Sequence, residues 1–208
     1  MTTPLGGLTV TAREGRRVTV ARRTRETAVT VTLDLDGSGV ASVATGIGFY
    51  DHLLASLAHH ALFDLEVQAS GDLDVDEHHT VEDVALVLGA ALAEALGDRT
   101  GVNRFGEAAV PMDEALATAV LDAGGRPYAV LDVPFRGERI GALPAQMVEH
   151  ALESLARTGG LTLHLRASGR NDHHVAEAAF KALARALRAA VAIDPRRAGV
   201  PSTKGRLG

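Results

Sequence analysis

Two histidine doublets, each followed three residues later by a glutamate, hold the densest potential for chemistry in this chain: His78-His79-x-x-Glu82 and His173-His174-x-x-Glu177. On a helix each residue advances about 100°. The members of a doublet therefore splay about 100° apart, and the glutamate falls about 40° from the first histidine, between the two. Imidazole nitrogen with carboxylate oxygen suits Mn, Fe, Co, Ni or Zn. The splay assigns the two histidines of a doublet to different ions. One copy would read equally well as a polar helix N-terminus with an acid against the dipole; two copies favour metal binding.

The repeat extends around the doublets. His52 lies 26 residues before His78, and His150 lies 23 before His173. Each is followed by Ser-Leu-Ala, at Ser56-Leu57-Ala58 and Ser154-Leu155-Ala156. A loop shorter by three accounts for the offset. His52 and His150 thus hold matching places on the preceding helices, where each could complete an ion site begun by a doublet. His59 falls nearly on the face of His52 and His60 about 80° from it, and the helical wheel leaves open which of them faces a site. The symmetry breaks at Lys181, one turn beyond Glu177, where the other half has Leu86. A metal site has no use for an adjacent cation, but a phosphorylated substrate has, so Lys181 is expected to grip an anion; snorkelling to solvent is the alternative. Arg104, Arg126, Ser202, Thr203 and Lys204 offer further anion contacts. Glu26 follows Arg22-Arg23-Thr24-Arg25 at a hairpin edge, where nearby cations would keep it ionised. An acid/base group and a surface charge pair both fit that position. Spacing alone ranks a dinuclear metallohydrolase first. A metal-storage shell would need neither Lys181 nor the arginines.

The elements that must position these groups follow the same repeat. Each half reads strand, strand, strand, helix, strand, helix. In the first half, Val18 to Arg25 and Val29 to Leu35 alternate as strands, and a short strand ends at Val43. Helix Phe49 to Ala61, strand Leu65 to Gly71 and helix Thr80 to Leu96 follow. In the second half, Asn103 to Val110, Ala115 to Asp122 and Tyr128 to Val133 read as strands, then come helix Ala145 to Arg157, strand Leu161 to Ala167 and helix Val175 to Ile193. Ala115 to Ala119 would suit a helix by propensity and is read as strand because of the repeat. The fold class expected is α+β, two βββαβα halves (1–98 and 99–195) packed into one body, with a basic tail at 196–208. The chain has 208 residues, 46% apolar and 23% charged, as in a globular protein with a sizeable core. A net charge of −5 and 3% aromatics argue against nucleic acid. The absence of cysteine excludes disulfides and thiolate sites and is consistent with cytosol. No apolar run approaches the roughly 20 residues that span a bilayer, and Met1 to Arg17 lacks the apolar segment of a signal peptide.

From about Arg22 to Gly205 the sequence resembles the imidazoleglycerol-phosphate dehydratase family. The resemblance is carried by Arg25-Glu26-Thr27, Phe49-Tyr50-Asp51-His52-Leu53-Leu54, Gly71-Asp72-Leu73, Asp76-Glu77-His78-His79-Thr80-Val81-Glu82-Asp83 and Asn103-Arg104-Phe105-Gly106. It continues in Pro111-Met112-Asp113-Glu114-Ala115, Gly125-Arg126-Pro127-Tyr128, Asn171-Asp172-His173-His174 and Pro201-Ser202-Thr203-Lys204-Gly205. The resemblance implies a duplicated fold similar to the second domain of ribosomal protein S5. It implies conversion of D-erythro-imidazoleglycerol phosphate to imidazoleacetol phosphate and water in histidine biosynthesis, in the cytoplasm. It implies two Mn²⁺ ions per active site, held by residues matching His52, His78, His79, Glu82, His150, His173, His174 and Glu177. Sites would form between subunits of a trimer, with trimers building a 24-subunit shell. Glu26 matches the family's acid/base residue and Asp113 an acidic residue near the site, with His52 and Glu177 also counted in the catalytic set. Arg104, Arg126, Lys181, Ser202, Thr203 and Lys204 match the segments expected to hold phosphate. His79 and His174 are expected to meet the substrate as well as the metal. Ser56 stands where many members have Gln, and His60-Ala61 where some have His-Gly, which favours His60 over His59. The ions would act as Lewis acids on the substrate ring, with Glu26 taking or relaying the proton. Some members carry a fused phosphatase, for which 208 residues are expected to leave no room.

Overall fold

The computed structural model describes residues 7–207; the first six positions of the stretch read above as lacking a signal peptide lie outside it. Two main sheets, a two-stranded hairpin and four long helices make up the described residues, an α+β architecture. The first sheet holds β1 (Leu8–Glu14), β2 (Arg17–Arg23), β3 (Thr27–Asp34), β4 (Ala41–Ala44) and β5 (Asp64–Gly71), in the order β1-β2-β3-β5-β4. Helix α1 (Gly48–Ala61) carries the chain from β4 back to its parallel neighbour β5, as a parallel pair requires. Helix α2 (His78–Leu96) follows.

The second sheet holds β6 (Phe105–Met112), β7 (Ala115–Asp122), β8 (Tyr128–Asp132) and β11 (Thr162–Ser168), in the order β6-β7-β11-β8. Helix α3 (Gln146–Gly159) again links a parallel pair, β8 and β11, and α4 (Asp172–Val191) follows. With β1 set aside, the strand order of the two sheets is the same. Ala115 to Ala119 is strand, as the repeat required. Two features escaped the periodicity. Strand β1 adds an edge to the first sheet, and a small hairpin, β9 (Arg139–Ile140) with β10 (Leu143–Pro144), precedes α3. Two-residue strands are too short to show alternation.

Alternation places Val29, Val31 and Leu33 of β3, and Ala117, Ala119 and Leu121 of β7, on the covered faces. Helices α1 and α2 pack on the first sheet and α3 and α4 on the second. The pairs then meet, α1 against α4 and α2 against α3. Sandwiching explains why α2 is apolar nearly all round, buried from Val84 through Leu92. Close approach needs small residues. A Cβ on Gly106 of β6 would collide with the Ala186 carbonyl of α4, so the backbones touch there. Helix–helix contacts between halves therefore bring side chains of α1 and α4, and of α2 and α3, face to face.

Candidate metal centre

Each helix pair carries one cluster, and each cluster draws on both halves. On α1 and α4, His52 Nε2 and His173 Nε2 both lie 3.0 Å from Glu177 Oε2. On α2 and α3, His78 and His150 stack with ring centres 4.7 Å apart, and His150 Nε2 lies 3.6 Å from Glu82 Oε1. The lone histidine of one half thus joins the first doublet histidine and the glutamate of the other. Within each trio the donor atoms lie within 4.8 Å of one another. Ions of this class bind nitrogen and oxygen at about 2.0–2.2 Å, so donors on opposite sides of one ion stand about 4 Å apart. The trios fit an ion after small side-chain adjustments. His150 Nε2 is buried with no hydrogen-bond partner, a costly state for a polar atom unless a ligand satisfies it.

The second members of the doublets, His79 and His174, turn away from these trios. His79 Nδ1 faces Asp72 Oδ2 at 3.0 Å, and His174 Nδ1 faces Glu114 Oε2 at 2.9 Å. Both contacts raise the histidine pKa, chiefly through the hydrogen bond to the carboxylate. A carboxylate on Nδ1 fixes the tautomer and leaves Nε2 as the donor to a metal. Glu114 is held at about 2 by the His174 hydrogen bond, with the Asn171 and Arg170 amides next in weight. Sequence reasoning gave neither Asp72 nor Glu114 a role. Their signal was available in part: both stand in the matching motifs, and Asp72 lies six residues before the first doublet helix, whereas Glu114 reaches its histidine only through the fold.

Glu177 is 7% exposed. Burial pushes its pKa up, but hydrogen bonds from His52 and Lys181 outweigh burial and hold it at about 2. Lys181 Nζ lies 2.7 Å from Glu177 Oε1. The structure corrects the view that a cation marks only one half. Arg157 of α3 donates to Glu82 Oε1 at 3.1 Å, so each glutamate carries one cation. The position one turn after Glu82 is the buried Leu86 because α2 is enclosed there, and the cation comes from the neighbouring helix instead. His60 has its pKa lowered by burial first and by the Lys181 charge next; His59 is exposed.

Arg104, Arg126, Ser202, Thr203 and Lys204 line a separate open cleft of about 570 Å³, joined by Arg197 and Arg206. Asp122 anchors the Arg104 guanidinium at 2.7 and 2.8 Å, and Arg104 also donates to the Pro201 carbonyl at 3.0 Å, pinning the tail segment. Arg126 is two-thirds exposed. None of the eight expected metal ligands lines this cleft, and neither does Lys181. One chain therefore does not bring Lys181 together with the other anion contacts. Glu26, in the β2–β3 turn, lies 3.8 Å from His79 Nδ1 and is largely exposed. Its neighbour Arg22 is not its ion partner: that guanidinium turns inward to the buried Asp83, which also accepts from Thr27 Oγ1. Asp113 occupies the β6–β7 turn at positive φ, 3.7 Å from His174 Nε2.

The sequence model of the imidazoleglycerol-phosphate dehydratase family matches residues 45–187. The dehydratase of Methanoculleus marisnigri is 57% identical over 188 residues, 90% of this chain and 97% of its own. That of Acidiphilium cryptum is 56% identical over 194 residues, 92% of this chain and 99% of its own. A solved structure of the Pyrococcus furiosus protein superposes with a TM-score of 0.77 at 35% identity, covering 90% of this chain and 99% of that one. The Staphylococcus aureus enzyme gives 0.75 at 33% identity, over 80% and 95%.

Proposed function

The chain belongs to the imidazoleglycerol-phosphate dehydratase family, hydro-lyases of histidine biosynthesis, and from that premise we propose the finer reading: a manganese-dependent conversion of D-erythro-imidazoleglycerol phosphate to imidazoleacetol phosphate and water. The observation that carries it is the pair of cross-built trios, with the partnerless His150 nitrogen at one of them. His52, His173 and Glu177 would hold one Mn²⁺, and His78, Glu82 and His150 the other. His79 and His174, with Nε2 directed out of these trios, would complete the sites of neighbouring subunits and border the substrate. When bound, the ions supply Lewis acidity that draws electron density out of the substrate's imidazole ring.

The chain's own residues do the rest. The hydroxyl on the carbon beside the ring leaves and, with a proton, becomes water. The Glu26 carboxylate takes the proton from the next carbon, which keeps its own hydroxyl; the enol so formed tautomerises to the ketone. Asp113 stands beside His174 and His52 beside Glu177, both at the rim of the reacting centre. Lys181 and His60 meet the substrate at one subunit, while Arg104, Arg126, Ser202, Thr203 and Lys204 grip the phosphate from another. Remote contacts of this kind orient the reacting carbons. The separation of Lys181 from the basic cleft within one chain supports a site shared between subunits. So does the apolar outer face of the second sheet, where Leu116, Val120, Tyr128 and Val130 are exposed. These two features support self-association; the trimer, the 24-subunit shell and the cytoplasmic location are proposed as what the family resemblance implies. No helix among the described residues is long and apolar enough to cross a membrane.

The test is direct. Metal-free protein given Mn²⁺ and imidazoleglycerol phosphate should release the keto product, detected by its enolate in base. Metal-loaded protein that yields none overturns the reading. Glu26→Gln should keep two ions per subunit and lose most turnover, about 10²-fold or more; near-normal turnover removes Glu26 from its role.

A further inference from the structure

The strand registers fix which residues of the two halves correspond. Ala28 pairs with Ser70 across β3 and β5, and Leu116 pairs with Ser168 across β7 and β11. Two residues before each pair's first member stand Glu26 and Glu114. Two residues after each second member stand Asp72 and Arg170. The segments Ala69-Ser70-Gly71-Asp72 and Ala167-Ser168-Gly169-Arg170 are the same but for that last position. The duplication thus left a glutamate at the same place in each half, beside the outward histidine of each doublet, and an acid at the next position in one half only.

The consequence is visible in the contacts. In the second half Glu114 is fully engaged. Its Oε2 meets His174 Nδ1 at 2.9 Å, and its Oε1 accepts from the Arg170 and Asn171 amides at 3.0 and 2.7 Å. Arg170 offers no side-chain acceptor, so Glu114 alone holds the ring. In the first half Asp72 takes that place, with Oδ2 3.0 Å and Oδ1 3.3 Å from His79 Nδ1. Glu26 stands back at 3.8 Å with its side chain 56% exposed, against 24% for Glu114. Among the described residues the Glu26 carboxylate makes no hydrogen bond.

We propose that Asp72 is a positioning residue that orients His79 and thereby keeps the Glu26 carboxylate free for proton transfer, while its counterpart Glu114 is committed to orienting His174. The duplicated glutamates have divided their roles, and one residue difference, Asp72 against Arg170, divides them. This rests on the proton-transfer role of Glu26 set out above. Without Asp72 the first half would take the arrangement of the second: Glu26 need close only the gap from 3.8 Å to a hydrogen bond of about 3 Å.

The experiment compares Asp72→Ala, Glu26→Gln and the double variant in the Mn²⁺-loaded protein. Expected for Asp72→Ala are two ions per subunit, a KM within about threefold of normal and a kcat lowered at least about tenfold, a part of the 10²–10⁴-fold that acid–base catalysis supplies. In the Glu26→Gln background Asp72→Ala should cost less than about twofold more, since both act through one carboxylate. A crystal structure of Asp72→Ala should show Glu26 on His79 Nδ1. Asp72→Asn, which keeps an acceptor on Nδ1, should hold kcat within about threefold, and it serves as the readout if the alanine variant does not fold. A normal kcat in Asp72→Ala, an additive loss in the double variant, loss of a metal ion, or an asparagine variant as impaired as alanine overturns the proposal. Near-normal turnover in Glu26→Gln instead removes the premise, so the two failures are told apart.

Discussion

Replacing Lys181 by Met should destabilise the metal-free protein and yet tighten its hold on metal. Glu177 divides its oxygens, Oε2 to His52 and His173 and Oε1 to Lys181. Side-chain exposure is 20% for Lys181 and 9% for Glu177. Breaking a fully buried pair costs about 3–5 kcal/mol and an exposed one about 0–1 kcal/mol. This pair lies between, and Glu177 keeps its histidines, so the loss in metal-free protein should be about 2 kcal/mol. A bound cation would neutralise Glu177 in the lysine's place, and the loss should shrink to about 0.5 kcal/mol. By linkage the difference of about 1.5 kcal/mol appears as metal binding roughly tenfold tighter. Urea unfolding at fixed protomer concentration, in chelator and in saturating Mn²⁺, measures the two losses, and a competing chelator measures affinity. Equal destabilisation in both conditions, or unchanged affinity, refutes the reasoning. A raised Michaelis constant in the same variant is a separate outcome and reports the anion contact.

Two further outcomes follow from packing and protonation. Gly106→Ala puts a methyl against the Ala186 carbonyl of α4, so its urea midpoint should fall by the equivalent of about 1–3 kcal/mol; an unchanged midpoint would mean that β6 and α4 do not approach as closely as described. His79 and His174 have raised pKa values, so in metal-free protein they hold protons above the usual pH of about 6.5. Their ion pairs stabilise fully below that pH and are lost as pH rises through the folded values. Metal needs the deprotonated ring nitrogen, so ions held by these histidines should begin to leave as pH falls, while it is still above about 6.5. Metal content after dialysis between pH 8 and 6 checks this, and retention unaffected down to pH 6 contradicts it.

The sheet and helix order was legible because alternation and helical periodicity are local, and because each half vouched for the other at Ala115 to Ala119. Strand β1 and the β9–β10 hairpin were not legible: they lie outside the repeat, and nothing in the other half corroborates them. The doublet residues of each trio stood out because i, i+4 spacing on one helix survives folding unchanged. What spacing could not supply was the exchange of lone histidines between halves, since that depends on α1 meeting α4 and α2 meeting α3. Arg157 was missed for the same reason. Its link to Glu82 crosses between helices 75 residues apart in sequence. Arg22 misled because adjacency in sequence suggested Glu26, while strand alternation sends its side chain inward to Asp83.

Duplication alone would give two like sites with like surroundings, and the His/His/Glu trios follow that rule down to a cation on each glutamate. Elimination of water needs something unlike: one carboxylate free to move a proton beside an ion. Symmetry works against this, because any carboxylate next to an outward imidazole N–H is drawn onto it, as Glu114 is. Freeing one glutamate requires a second acid to occupy the ring. Asp72 is placed to do so in the first half, and the arginine at the matching position leaves the second half without that option. On this reasoning, catalytic asymmetry enters a symmetric scaffold through the residue that holds the histidine, one step removed from the metal.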